Sequence, residues 1–146
     1  MARIRIDLPD KFSFTTSIPV RITDINYGGH VGNDAILSLI HEARMQFLKQ
    51  WEYSELDFGG VGLIMSDAGI EFRSELFYGE TVIISVACSG FSKVSFEIYY
   101  KLEKIPPEIT NEKRIIVATA KTGMVCYDYS NKRITGLPEE ARKKLS

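Results

Sequence analysis

Residues 23–51 read TDINYGGHVGNDAILSLIHEARMQFLKQW. The first eleven are loop chemistry: Asn26, Gly28, Gly29, Gly32 and Asn33 are turn formers. From Asp34 the period changes. Ile36, Leu39, Ile40, Ala43, Phe47 and Trp51 recur at helical spacing, which predicts one long, largely covered helix over residues 34–51. Asn33 or Asp34 is the expected N-cap, because a short polar side chain satisfies an orphan amide there. Asp34 also complements the positive end of the helix dipole. Gly59 and Gly60 break the pattern.

Outward from the helix the chain reads as strand. Upstream, residues 12–22 (FSFTTSIPVRI) are aromatic and β-branched. Pro19 lacks an amide donor, which marks an edge, a strand start or a bulge. Downstream, residues 61–65 lead into 68–76, where Ile70 and Phe72 alternate with Glu71 and Arg73. After the FYGET turn come strand patterns over 81–91 and 93–104, a Pro-containing connector over 105–113, and a further strand pattern over 114–129. The turn SNKR precedes a short terminal helix over 137–145 with Pro138 at its start. One long helix and a set of antiparallel strands predict an α+β fold of two layers, the sheet curling around the helix. Such a sheet leaves an open edge, so dimerisation is expected. Residues 1–146 read as a single domain.

Composition narrows the function classes. The chain has 146 residues, 45% hydrophobic and 25% charged, which argues against disorder. A net charge of -1 argues against a strongly basic nucleic-acid or membrane surface and leaves only a local basic patch open. Cys88 and Cys126 lack CxxC spacing and a histidine cluster, so they read as buried free thiols rather than metal or redox ligands. No apolar run reaches the roughly 18 residues of a membrane span. The start, MARIRIDLPDKF, has no apolar signal core, so a cytoplasmic location is expected. A serine-nucleophile elbow and a Walker loop are both absent from the sequence.

The chemistry is concentrated between Arg21 and Asn33. Glycines allow close backbone approach, the free amides of a helix start can polarise a carbonyl oxygen, and Asp24, Asn26 and His30 lie within a few residues. These features suit binding or hydrolysis of an acyl group. They do not choose a thioester over another carbonyl compound.

The loop and helix DINYGGHVGNDAILSLIHEAR resemble the signature of hotdog-fold acyl-CoA thioesterases of the 4-hydroxybenzoyl-CoA thioesterase group. That pattern is Asp-x-Asp, a Gly-His-Val-like turn, one or two Asn, then a helix with Glu-x-x-Arg or Glu-Ala-Arg. IEFRSELFYGETV, residues 70–82, resembles the family's strand-turn-strand, and together the likeness covers about residues 12–129. It implies an acyl-CoA or acyl-carrier-protein thioester as ligand, with coenzyme A as part of the substrate. It implies no metal and no separate cofactor, and a homodimer or dimer of dimers with the site at the subunit interface.

The resemblance also implies roles. The second acid of Asp-x-Asp is Asn26 here, and an amide takes no proton at neutral pH, so Asn26 is expected to orient water or hold the thioester oxygen. Asp24, the retained first acid, is read mainly as a brace of the turn and kept as a catalytic candidate. Glu42, about two helical turns beyond Asn33, is the expected base for water. His30 is a candidate donor or proton shuttle, its structural alternative being to hold loop to helix. Gly28, Gly29 and Asn33 are expected to offer amides to the thioester oxygen. Asp67 is a candidate from the other chain. Arg73, Lys93 and Arg114 are candidate cations for the CoA phosphates. The expected activity is thioester hydrolysis, with a non-catalytic acyl-thioester binding protein as the alternative that Asn26 keeps open.

Overall fold

The sheet is six-stranded and antiparallel, in the order β1-β3-β4-β5-β2, with β6 paired to β5. The computed structural model describes residues 2–106 and 113–146. Its strands are β1 (Phe14–Pro19), β2 (Gly62–Phe72), β3 (Thr81–Ser89), β4 (Ser95–Lys104), β5 (Ile115–Asp128) and β6 (Arg133–Ile134). The helices are α1 (Asn33–Lys49) and the terminal α2 (Glu139–Leu145). This is the hotdog fold, α+β as expected.

The apolar stripe of α1 explains the layering. Ile36, Leu39, Ile40, Ala43, Phe47 and Leu48 are buried. They meet the inner face of the sheet, where Val82, Ile84 and Val86 of β3, Phe96, Ile98, Tyr100 and Leu102 of β4, and Ala118, Ala120 and Met124 of β5 are also buried. Each large side chain so covered contributes about 1.5–3 kcal/mol of transfer free energy. The N-terminal arm crosses the other face of the sheet. The Ile6 amide donates to Glu71 Oε1 at 2.6 Å, and Lys101 sits over the Phe12 ring.

The structure differs from the sequence expectation in four places. The N-cap of α1 is Gly32, not Asn33 or Asp34, and it makes no side-chain cap. The strand expected over 12–22 ends at Pro19, and residues Ile22–Asp24 form a 3-10 turn instead. The two downstream strand pieces are one strand, β2, with a register shift between Met65 and Asp67. β6 was not expected, and most of the connector lies outside the described residues. Pro19 does stand on an edge strand, β1. The other edge is β2, whose residues 65–68 are exposed. Among the described residues no helix is long and apolar enough to cross a membrane.

Candidate active site

The loop before α1 closes on itself. Ile25 bridges to Val31. The Asn26 amide donates to the His30 carbonyl at 2.9 Å, and the Gly29 amide to the Asn26 carbonyl at 3.1 Å. Asn26 Oδ1 accepts the Gly28 amide at 2.9 Å, an Asx turn. Gly29 has φ 85°, in the left-handed region that favours glycine. Upstream, the buried Asp24 carboxylate accepts the Arg21 amide at 2.8 Å and the Arg21 guanidinium at 3.2 Å. Downstream, the Val31 amide donates to the Leu76 carbonyl at 2.8 Å, which ties the loop to the turn after β2.

This bracing opens a cleft of about 250 Å³, walled by His30, Val31, Asn33 and Ile36 on one side and by Phe72–Leu76 and Val117 on the other. The first intrahelical bond runs from the Ile36 amide to Gly32. The amides of Asn33, Asp34 and Ala35 therefore have no intrahelical acceptor, and the helix dipole lies behind them. His30 Nδ1 is 3.0 Å from the Val31 carbonyl. With Nδ1–H donating there, Nε2 is left as an acceptor. Arg73 lines the cleft and keeps a half-exposed guanidinium, 3.7 Å from Glu71.

Asn26 and Asp34 converge beside it. A Cβ built on Gly32 would lie 2.6 Å from Asp34 Oδ1 and 3.7 Å from Asn26 Nδ2. Gly32 has φ -71° and ψ 157°, which any residue adopts, so a side chain there would meet no backbone strain but would displace the Asp34 carboxylate.

A second groove, of about 290 Å³, runs along the flank of α1 that faces β2. Asp34, Leu37, Ser38, His41, Arg44 and Met65 line it. Arg44 is buried beneath it. Its Nη1 donates to the Tyr100 hydroxyl at 3.2 Å, and its Nε is 3.6 Å from Glu55. His41 meets the same carboxylate at 2.6 Å.

The structure brings Asn26, Gly28, Gly29, His30, Asn33 and Arg73 together at one end of α1. It places other candidates elsewhere in this chain. Asp24 is occupied as the brace. Glu42 is exposed, accepts Gln46 Nε2 at 2.8 Å, and lies on the flank opposite Arg44, about 160° away around the helix. The Arg21 pKa is raised chiefly by its hydrogen bond to Asp24, with a smaller push from the Glu42 charge, which sets Glu42 on the Arg21 side. Asp67 faces outward and pairs with Lys121 at 3.1 Å. Lys93 lies in the turn before β4, at the far end of the sheet. Ser95 pairs with Val125, and the cleft residue Val117 is eight residues earlier on β5, or about 27 Å. Arg114 pairs with Glu103 at 3.3 Å.

Sequence reasoning missed the groove and gave Asp34 only a capping role. The signal was present: Asp34, Leu37, Ser38, His41 and Arg44 recur at spacings of three and four on one helix flank. Tyr27, at the loop tip, was also passed over, and it is fully exposed. Among the described residues no group of His, Cys, Asp and Glu is placed to hold a metal ion.

Known proteins resemble the chain in sequence and in fold. A 1,4-dihydroxy-2-naphthoyl-CoA hydrolase of Nostoc punctiforme is 30% identical over 131 residues, covering 88% of this chain and 83% of that protein. Among solved structures, a 1,4-dihydroxy-2-naphthoyl-CoA thioesterase from Synechocystis superposes with TM-score 0.76 at 21% identity, covering 90% of this chain and 93% of the other. The 4-hydroxybenzoyl-CoA thioesterase of Pseudomonas sp. strain CBS-3 superposes with TM-score 0.77 at 14% identity, covering 91% and 99%. Those two likenesses speak to the fold alone. Residues 20–145 match the model of the thioesterase-like superfamily, and the chain belongs to that family.

Proposed function

We propose that the protein hydrolyses acyl-CoA thioesters and that its acyl group is a hydroxylated aromatic one. The observation that carries the hydrolase reading is the cleft at the start of α1. There Asn33, the first of three residues whose amides have no intrahelical acceptor, lines a space bordered by His30 and Arg73. A thioester oxygen seated on those amides is polarised, and the tetrahedral oxyanion is held by the same donors. One such donor is typically worth about 2.7–4 kcal/mol of barrier. Phe72, Ile36, Leu76 and Val117 supply apolar walls for the acyl group, and the lining of the cleft by Arg73 supports it as the cation that meets the CoA phosphates. A carboxylate takes the proton from the attacking water. The aromatic acyl group is supported by the 30% identical relative, a hydrolase named for a dihydroxynaphthoyl-CoA.

The protein works as a homodimer or dimer of dimers. The cleft and groove both border β2, whose exposed outer edge is suited to pair with a second copy. The test is thiol release from a panel of 1,4-dihydroxy-2-naphthoyl-CoA, 4-hydroxybenzoyl-CoA, and short and long alkanoyl-CoAs. Aroyl thioesters are expected to turn over with the highest kcat/KM. Higher kcat/KM on alkanoyl-CoAs overturns the aromatic assignment. Tight binding with no turnover of any member supports the second reading, an acyl-thioester binding protein, which Asn26 in place of an acid favours.

A further inference from the structure

The acid missing from position 26 has a counterpart on the other side of Gly32. We infer that Asp34 is the carboxylate that activates water, with Asn26 as the group that orients it; this rests on the thioester-hydrolase reading and names its base. Asn26 Oδ1 is occupied by the Gly28 amide, so its free Nδ2 is a donor. Asp34 Oδ1 is an acceptor. Both border the point where Gly32 lacks a Cβ, at 3.7 Å and 2.6 Å, and so are separated by no more than the sum of those distances. A gap within that bound leaves room for a single water that accepts from Asn26 Nδ2 and donates to Asp34.

The other carboxylates on the loop and on α1 are engaged. Asp24 holds Arg21, and Glu42 accepts from Gln46. Asp34 makes no hydrogen bond or ion pair with any described residue, and it sits in the first turn of α1, beside the amides that would hold the oxyanion. Glu75 in the cleft wall is the competing carboxylate. The step balances. The water oxygen bonds to the thioester carbon as one of its protons passes to Asp34. The carbon–sulfur bond then breaks, and Asp34 returns that proton to the departing CoA sulfur. The acid product leaves as a carboxylate and gives its remaining proton to solvent.

The experiment compares Asp34→Asn, Glu42→Gln and Glu75→Gln on the best substrate of the panel, with binding of a non-hydrolysable CoA thioether measured by calorimetry. Asp34→Asn is expected to lower kcat by about 10²–10⁴-fold, with thioether affinity within about threefold of wild type. Retained kcat in Asp34→Asn overturns the assignment, as does an equal loss in either of the other two variants. Joint loss of turnover and binding in Asp34→Asn also overturns it, since Asp34 would then hold the fold or the substrate. A wild-type protein with no turnover on any thioester sinks the hydrolase reading itself, and the base with it.

Discussion

Replacing Gly32 with alanine separates catalysis from stability at this site. The backbone at Gly32 is already in the extended region, at φ -71° and ψ 157°, so a side chain adds no strain. Restricting the unfolded chain gains about 0.4–1 kcal/mol. Alanine is a poorer N-cap than glycine by a similar amount. The two effects nearly cancel, and the thermal midpoint should stay within about 4 °C of wild type. The space over residue 32 changes far more. The new methyl would stand 2.6 Å from Asp34 Oδ1, against the 3.4 Å at which ordinary contact begins, so the carboxylate must retreat by about 0.8 Å. The methyl also takes the volume that the bridging water would fill. Misplacement on the order of 1 Å in a reacting group costs about 10²-fold. Gly32→Ala should therefore fold normally and lose about 10²-fold in kcat in the thiol-release assay. A variant with wild-type kcat and midpoint would refute the reasoning, because it would mean that nothing in the reaction uses the space between Asn26 and Asp34.

Two further outcomes follow from the geometry. Asp24→Asn removes the charge from a buried acceptor that holds the Arg21 amide at 2.8 Å. It should cost about 1.5–3 kcal/mol, read as a thermal midpoint lower by about 3–12 °C; an unchanged midpoint with turnover abolished would make Asp24 catalytic and not a brace. Burial pushes the Cys126 thiol up to about 11 and the Cys88 thiol above the ordinary thiol range. A thiol ionises only as pH rises through its pKa, so at pH 8 about one in 10³ Cys126 side chains is the reactive thiolate. Native protein should release almost no signal with a thiol reagent at pH 8, and two equivalents once unfolded in guanidinium; rapid native labelling would show one of the two to be accessible.

What the sequence made legible follows from which interactions are periodic. The α1 stripe and the alternation along β4 come from burial on a regular backbone, so Ile36 to Phe47 and Phe96 to Leu102 could be assigned to one core by counting. The loop was legible through its turn residues, and Asn26, Gly28, Gly29, His30 and Asn33 do meet at the helix start. The details that remained hidden depend on space, not on period. Nothing in a residue list says that Gly32 caps α1 or that a side chain there would press on Asp34. The register shift at Ser66 turns Asp67 outward to Lys121 and leaves Met65 on the groove, and no alternation rule places such a shift.

Glu42 shows the same division. Distance along the helix from Asn33 was legible and made it a reasonable base. The flank it occupies was fixed only once β1 and β2 took opposite sides of α1, which put Glu42 with Gln46 and Thr16 and Asp34 with Arg44 and Met65. Asp34 and Glu42 stand about 80° apart around the helix, less than one residue's step, and that is enough to put one beside the Met65 groove and the other beside Gln46. The acid that the resemblance leads one to expect at position 26 is absent, and on the proposed reading Asp34, in the neighbouring groove, supplies the carboxylate. The carboxylate at position 34 reaches the same space from the other side of a glycine, and a motif scan that compares positions one by one does not register the exchange.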